Sequence, residues 1–157
     1  MIISKLYEFE YAHIVREAFS KRCKYNYHGH SAKVKVFIGR KKLNKCGMVI
    51  DFGELKPIKE FIDLFDHTSL FWEKDKDYII DFFKNNFDRV LVMKKNTTAE
   101  NMARLIMKFT SEWLFKYKFD VYCYRVELNE TRTGCGIAEE NEYDDNDILV
   151  YQHKNEY

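Results

Sequence analysis

His28-Gly29-His30 is the first place in the chain where residue type and spacing point to chemistry. Residues two apart on a strand share a face and lie about 7 Å apart along the chain. Two imidazoles so placed can converge on one cation, with Zn–N bonds of about 2.0–2.1 Å. On an exposed strand the same pair is simply two solvated histidines. His13 separates these readings, because it stands near the end of the preceding strand, where a hairpin connection brings it beside the pair. Three neutral imidazoles with no fourth protein ligand leave one position for water or substrate oxygen, as in a catalytic zinc site. The chain has five histidines, and three of them fall on these two adjoining strand ends.

Cys23 lies in the loop before His28. A thiolate near a divalent cation or a protonated histidine has a lowered pKa and can act as base or nucleophile. Alternatively Cys23 ligates the metal, and the site is then closed and structural. Asp66-His67 follows a helix end. A carboxylate beside an imidazole can fix its tautomer, although charged residues also occur at helix ends for ordinary reasons. Glu130, followed by Thr131, ends a strand and suits a guanidine-like edge offering two parallel N–H donors. Thr98 stands at a helix start, where free N–H groups favour electron-rich ligand atoms. By themselves, Glu130 and Thr98 read equally well as a strand end and a cap.

The elements that must position these residues follow from periodicity. Ile3 to Val15 alternates and reads as a strand, Arg16 to Tyr27 as a polar loop. His28 to Gly39 alternates again, with Val34, Val36 and Ile38 opposite Lys33 and Lys35. Phe52 to Phe65 carries Leu55, Ile58, Ile62 and Phe65 at helical spacing, with Pro57 in the first turn. A charged stretch follows His67, then a short helical piece around Ile79 to Phe87 and a strand candidate, Arg89 to Met93. A helix starts near Asn96, where Thr97 and Glu100 have capping-box spacing, and runs to about Tyr117. Phe119 to Leu128 and Asp147 to Gln152 read as further strands. Two strands, two main helices and two strands make an α+β chain whose helices cover one face of an antiparallel sheet.

Composition bounds what this arrangement serves. The 157 residues make one domain, with a core to about residue 138 and an acidic segment over 139–157. An apolar fraction of 46% and an aromatic fraction of 17% fit a folded globule. A net charge of +1 gives no bias towards nucleic acid or an anionic membrane, and no apolar run is long enough to span a bilayer. The N-terminus lacks the apolar centre of an export signal, so the four cysteines are expected as thiols in a reducing, cytoplasmic setting.

Taken in order, several motifs resemble the 6-pyruvoyl-tetrahydropterin synthase and 6-carboxy-tetrahydropterin synthase family. They are Phe9-Glu10-Tyr11-Ala12-His13, Cys23 before His28-Gly29-His30, Gly47 to Lys56, Phe65-Asp66-His67, Thr98-Ala99-Glu100-Asn101 and Glu130-Thr131. The resemblance implies zinc on His13, His28 and His30, Cys23 as the proton-transferring thiol, and Asp66 with His67 as its relay. It implies Glu130 as the anchor of the pterin ring, with Thr98 lining the pocket. The implied architecture is the tunnelling fold, an antiparallel four-stranded sheet with two main helices on one face. Its sheets join into a β-barrel in a homo-oligomer, commonly a hexamer of two trimers, with active sites at subunit interfaces.

Glu130-Thr131-Arg132-Thr133-Gly134-Cys135 is similar to the ending of the 6-carboxy enzymes, one residue shorter before the cysteine. Those enzymes convert dihydroneopterin triphosphate to 6-carboxytetrahydropterin, acetaldehyde and triphosphate in queuosine and deazapurine synthesis. The resemblance favours that activity over the pyruvoyl branch, which eliminates triphosphate, and over a non-catalytic pterin- or zinc-binding relative. Lys21, Arg22 and Lys24 beside Cys23 are candidates to meet the triphosphate, or else a solvated loop. The chain departs from the family pattern at three places. Four residues separate Cys23 from His28, between the spacings of the two branches; Leu70-Phe71 replaces Leu-Asn; and Trp72 to Lys95 is longer than in compact members.

Overall fold

Tyr7, Phe9, Tyr11 and His13 are buried and alternate with exposed Leu6, Glu8 and Glu10, so the first strand, β1 (Ile2–His13), turns one face to a core and the other away. The structure is a computed structural model that describes residues 1–118 and 120–154, the last two by their backbone alone. After β1 a short helix, α1 (Lys21–Tyr25), lies within the polar connection. The strand β2 (His28–Arg40) pairs antiparallel with β1, in a register that sets His28 opposite His13 and His30 opposite Tyr11. A 3-10 turn (Phe52–Leu55) and α2 (Lys56–Ile62) follow, in place of one helix over 52–65. Pro57, in the first turn of α2, has no N–H to donate into a preceding turn, so the helix starts there.

The strand expected from Phe119 is β5 (Val121–Asn129), and Phe119 itself lies outside the described residues. It pairs antiparallel with β2 on one side and with β6 (Cys135–Glu139) on the other. Val34, Val36 and Ile38 of β2, Val126 and Leu128 of β5 and Ala138 of β6 are all buried on the side facing α2 and the long helix α4 (Ala99–Tyr117). Gly136 allows the close contact at the start of α4. A Cβ there would sit 2.7 Å from the Ala99 carbonyl carbon and the Glu100 nitrogen. The cap of α4 is Thr98, whose hydroxyl accepts from the Asn101 N–H at 3.3 Å. Thr97, expected to form a capping box with Glu100, is buried and donates its hydroxyl to the Ile14 carbonyl at 2.9 Å.

The expected four-stranded antiparallel sheet is corrected to a seven-stranded mixed one, ordered β6-β5-β2-β1-β3-β4-β7. The strand β3 (Thr68–Trp72) runs parallel to β1, pairing from Tyr11 with Thr68 to His13 with Leu70. Between it and the parallel β4 (Arg89–Met93) comes α3 (Asp77–Asn86), and β7 (Leu149–Lys154) pairs antiparallel with β4 at the edge. β3 and β4 are buried on both faces, as parallel strands usually are, and therefore show no alternation. Leu70, Leu91 and Met93 enter the main core. Phe71, Val90 and Val92 enter a second cluster with Ile80, packed against Phe83 and Tyr151. Thus α3 covers the opposite face, and only α2 and α4 share one side. No helix among the described residues is long and apolar enough to cross a membrane.

Candidate metal centre

The β1–β2 register decides the geometry of the site. His13 and His28 are directly opposed, and His30 lies one same-face position along β2. The three ring centroids stand 4.8, 4.9 and 5.1 Å apart. Their ligating atoms all lie within 4.8 Å of one another. The backbone holds two of the rings in one tautomer. Nδ1 of His13 donates to the Thr97 carbonyl at 2.7 Å, and Nδ1 of His28 donates to the Asn26 carbonyl at 2.9 Å. A carbonyl can only accept, so each Nδ1 keeps its proton, which in a neutral ring leaves the lone pair on Nε2.

His13 is fully buried and His30 is largely so, and Nε2 of both lacks a hydrogen-bond partner. Burial pushes the His13 ring down to about 3, against the pull of the Thr97 carbonyl, and the neighbouring His28 and His30 push the same way. Burial also lowers His30, opposed by Glu130. Both rings are therefore neutral at ordinary pH. Uncharged nitrogen donors with fixed tautomers and orphaned, converging lone pairs are what a zinc ion requires. The residues present fit the metal.

Glu130 leans over the same place. One of its oxygens accepts from the Tyr11 hydroxyl and lies 3.3 Å from His13 Nε2 and 4.0 Å from His30 Nε2. Tyr11 was not singled out from the sequence, although it stands two residues before His13 on the same strand face. Its hydroxyl is pushed far up by burial and by the Glu130 charge, so it remains a donor. The Thr97 and Asn26 carbonyls were also missed, since a backbone acceptor leaves no mark on residue type.

The thiol of Cys23 is not part of the histidine cluster, so closure of the site by a thiolate is not formed. Cys23 is half-buried on α1, and its carbonyl accepts from the Val15 N–H at 3.1 Å. This bond ties α1 to the chain just past His13. Asp66 and His67 pair with each other at 3.0 Å, and Asp66 also accepts from the Glu10 N–H at 2.9 Å. His67 is 74% exposed and takes a positive φ of 54°. The two residues are thus fixed beside β1, roughly 10 Å along the strand from His13. Thr98 is half-buried at the cap, next to the carbonyl that holds His13.

Comparison with known proteins places the chain in a family. The profile of the family described as 6-pyruvoyl tetrahydropterin synthase matches residues 2–141. The 6-carboxy-5,6,7,8-tetrahydropterin synthases of two Helicobacter pylori strains are 33% and 32% identical over 140 residues, covering 85% of this chain and 70% of theirs. Among solved structures, a protein described as uncharacterized from Wolinella succinogenes superposes with a TM-score of 0.73 at 20% identity, covering 90% of this chain and 98% of its own. The 6-pyruvoyl tetrahydropterin synthase of Caenorhabditis elegans gives 0.63 at 23% identity, covering 90% and 96%. At these identities the two structures speak for the fold.

Proposed function

The chain belongs to the 6-pyruvoyl tetrahydropterin synthase family, and on that premise we propose that it is a zinc-dependent 6-carboxy-5,6,7,8-tetrahydropterin synthase. It converts 7,8-dihydroneopterin triphosphate to 6-carboxytetrahydropterin, acetaldehyde and triphosphate, a step of queuosine-type biosynthesis. The observation that carries this reading is the convergence of three imidazoles, two of them with buried, unpartnered Nε2 atoms. The choice of the carboxy product is supported by the names of the Helicobacter pylori relatives.

His13, His28 and His30 hold the metal, which when bound supplies Lewis-acid polarisation of the hydroxyl oxygens on the substrate side chain. Glu130, steadied by Tyr11, accepts the N–H edge of the pterin ring in paired hydrogen bonds, and Thr98 lines the same pocket. The Cys23 thiol exchanges protons at the side-chain carbons. Asp66 holds Nδ1 of His67, which presents the rest of its ring to solvent. That exposed pair serves the Cys23 of a neighbouring copy in a homo-oligomer. The sheet leaves room for one, because β3 pairs only with Tyr11 to His13 of β1, and the edge before Tyr11 has no strand beside it among the described residues.

The test is incubation of the zinc-loaded protein with dihydroneopterin triphosphate and identification of the products by mass spectrometry. Acetaldehyde with a carboxypterin is expected. A pyruvoyl product moves the chain to the other branch, and binding without turnover makes it a non-catalytic relative. Cys23→Ala is expected to keep zinc and pterin binding and lose turnover; retained turnover rejects the role of the thiol.

A further inference from the structure

A cleft of about 450 Å³ opens between the segment that follows His13 and the loop that follows β3. Its walls include Arg16, Lys24, Trp72, Lys74 and Lys76. It lies outside the carboxyl ends of the parallel strands β1 and β3, a position where α/β sheets commonly receive ligands. Resting on the reading of the site given above, we propose that this cleft binds the triphosphate of the substrate. The β3–α3–β4 unit thereby supplies a polyphosphate subsite to the metal centre.

Position and charge both support the assignment. Arg16 is three residues beyond His13, at most roughly 10 Å of chain. Its backbone is clamped on both sides by the Asn96 side chain, at 3.2 and 2.5 Å. The next residue, Thr97, holds His13, so cleft and metal centre share one rigid frame. Lys24 follows Cys23, whose carbonyl is tied to Val15. A substrate whose side chain reaches the metal therefore has its phosphates directed along Arg16 into the cleft.

The cleft carries four cations and the carboxylates of Asp75 and Glu17. Asp75 is buried and already engaged: it pairs with Arg16 Nε and accepts from the Trp72 N–H at 3.0 Å. It fixes the guanidinium and the turn rather than repelling an anion. Lys24, Lys74 and Lys76 have no carboxylate partner among the described residues. Each instead leans over an aromatic ring, with Lys74 Nζ 5.0 Å from the Trp72 centroid and Lys24 and Lys76 each 5.7 Å from Tyr25 and Tyr78. Three ammonium groups without a carboxylate partner among the described residues, around one cavity, suit a polyanion. The net charge of +1 leaves attraction of such a ligand to a local patch.

Titration of inorganic tripolyphosphate into the full-length, zinc-loaded protein by calorimetry tests the proposal. Lys74→Ala and Lys76→Ala should each weaken binding about tenfold, the order of one charge-assisted contact. Lys74→Glu should weaken it further. Lys59→Ala, which removes the same charge from α2, should change nothing. With the triphosphorylated substrate the lysine variants should raise KM and leave kcat nearly unchanged, as when uniform binding is removed. Equal affinity in wild type and both lysine variants, or an equal loss in Lys59→Ala, overturns the subsite. Failure of the enzymatic reading looks different: no turnover in any variant, with lysine-dependent tripolyphosphate binding intact.

Discussion

The two halves of the sheet solve different problems. In the antiparallel half, β6-β5-β2-β1, helices cover one face only, and Leu6, Glu8 and Lys33 lie exposed on the other. The buried face continues past the first turn of α4, and there the apolar side chains give way to His13, His28, His30 and Glu130. In the other half, β3 and β4 are covered on both sides, by the main core and by the α3 cluster. A buried polar atom without a partner costs about 1–3 kcal/mol; β3 carries one, Thr68 Oγ1, while the antiparallel half carries the two that can ligate a metal, Nε2 of His13 and of His30. The covered half contributes through its loops instead. The halves are stitched together beside the metal centre by Tyr27, the residue before His28, which stacks on Phe71 and hydrogen-bonds Ser69 at 2.6 Å.

If this division holds, substitutions in the two halves should separate chemistry from stability. The largest effect is expected from His28→Ala. Zinc content should fall from about one per chain to near zero, and turnover by at least about 10³-fold, the scale of losing the metal's part in the reaction. Elemental analysis of the purified variant checks this, and normal zinc content would defeat the ligand assignment. Phe71→Ala comes next. Removing a fully buried ring should cost about 3–5 kcal/mol in urea unfolding, in a single transition, with zinc per folded chain unchanged. Zinc lost in proportion to stability would mean that the second half shapes the metal site directly.

The same contrast explains what could be read from residue types. Alternation exposed β1, β2 and β5, and the strand pairing of His13 with His28 follows once a hairpin joins them. Motif order, rather than periodicity, carried Cys23, Asp66 and Glu130. β3 falls inside the stretch read as charged because Thr68 to Trp72 is only five residues long, two hydroxyl residues followed by three apolar ones, a pattern without a period. β6 is equally short and begins inside the family-like ending. Thr97 reads as a cap from spacing, yet burial gave the cap to Thr98 and turned the Thr97 carbonyl to His13. Hydrogen bonds from side chains to backbone depend on where the chain returns in space, and sequence spacing does not encode that.

Smaller effects probe the joints between the halves. Tyr27→Phe keeps the ring on Phe71 and removes the hydroxyl contact with Ser69, so it should cost about 1 kcal/mol and leave zinc in place; a loss of zinc would mean that the hydroxyl positions His28.

Asp66 is the other joint. Its carboxylate accepts from Glu10 on β1, and its carbonyl accepts from Arg89 of β4 at 2.6 Å. Partial burial pulls its pKa up, but the Glu10 N–H, the His67 ring and the Arg89 charge outweigh it, and the group titrates below its ordinary value of 3.8. The folded state therefore favours the ionised form. Its contribution is complete above the ordinary value and disappears as pH falls through the lowered one. The side chain is 40% exposed, so solvent limits the effect to under about 1 kcal/mol. Asp66→Asn should be slightly less stable than wild type at neutral pH, and the two unfolding curves should converge in strong acid. A gap that persists unchanged below the titration would show that shape, and not the carboxylate charge, holds the two halves together at this point.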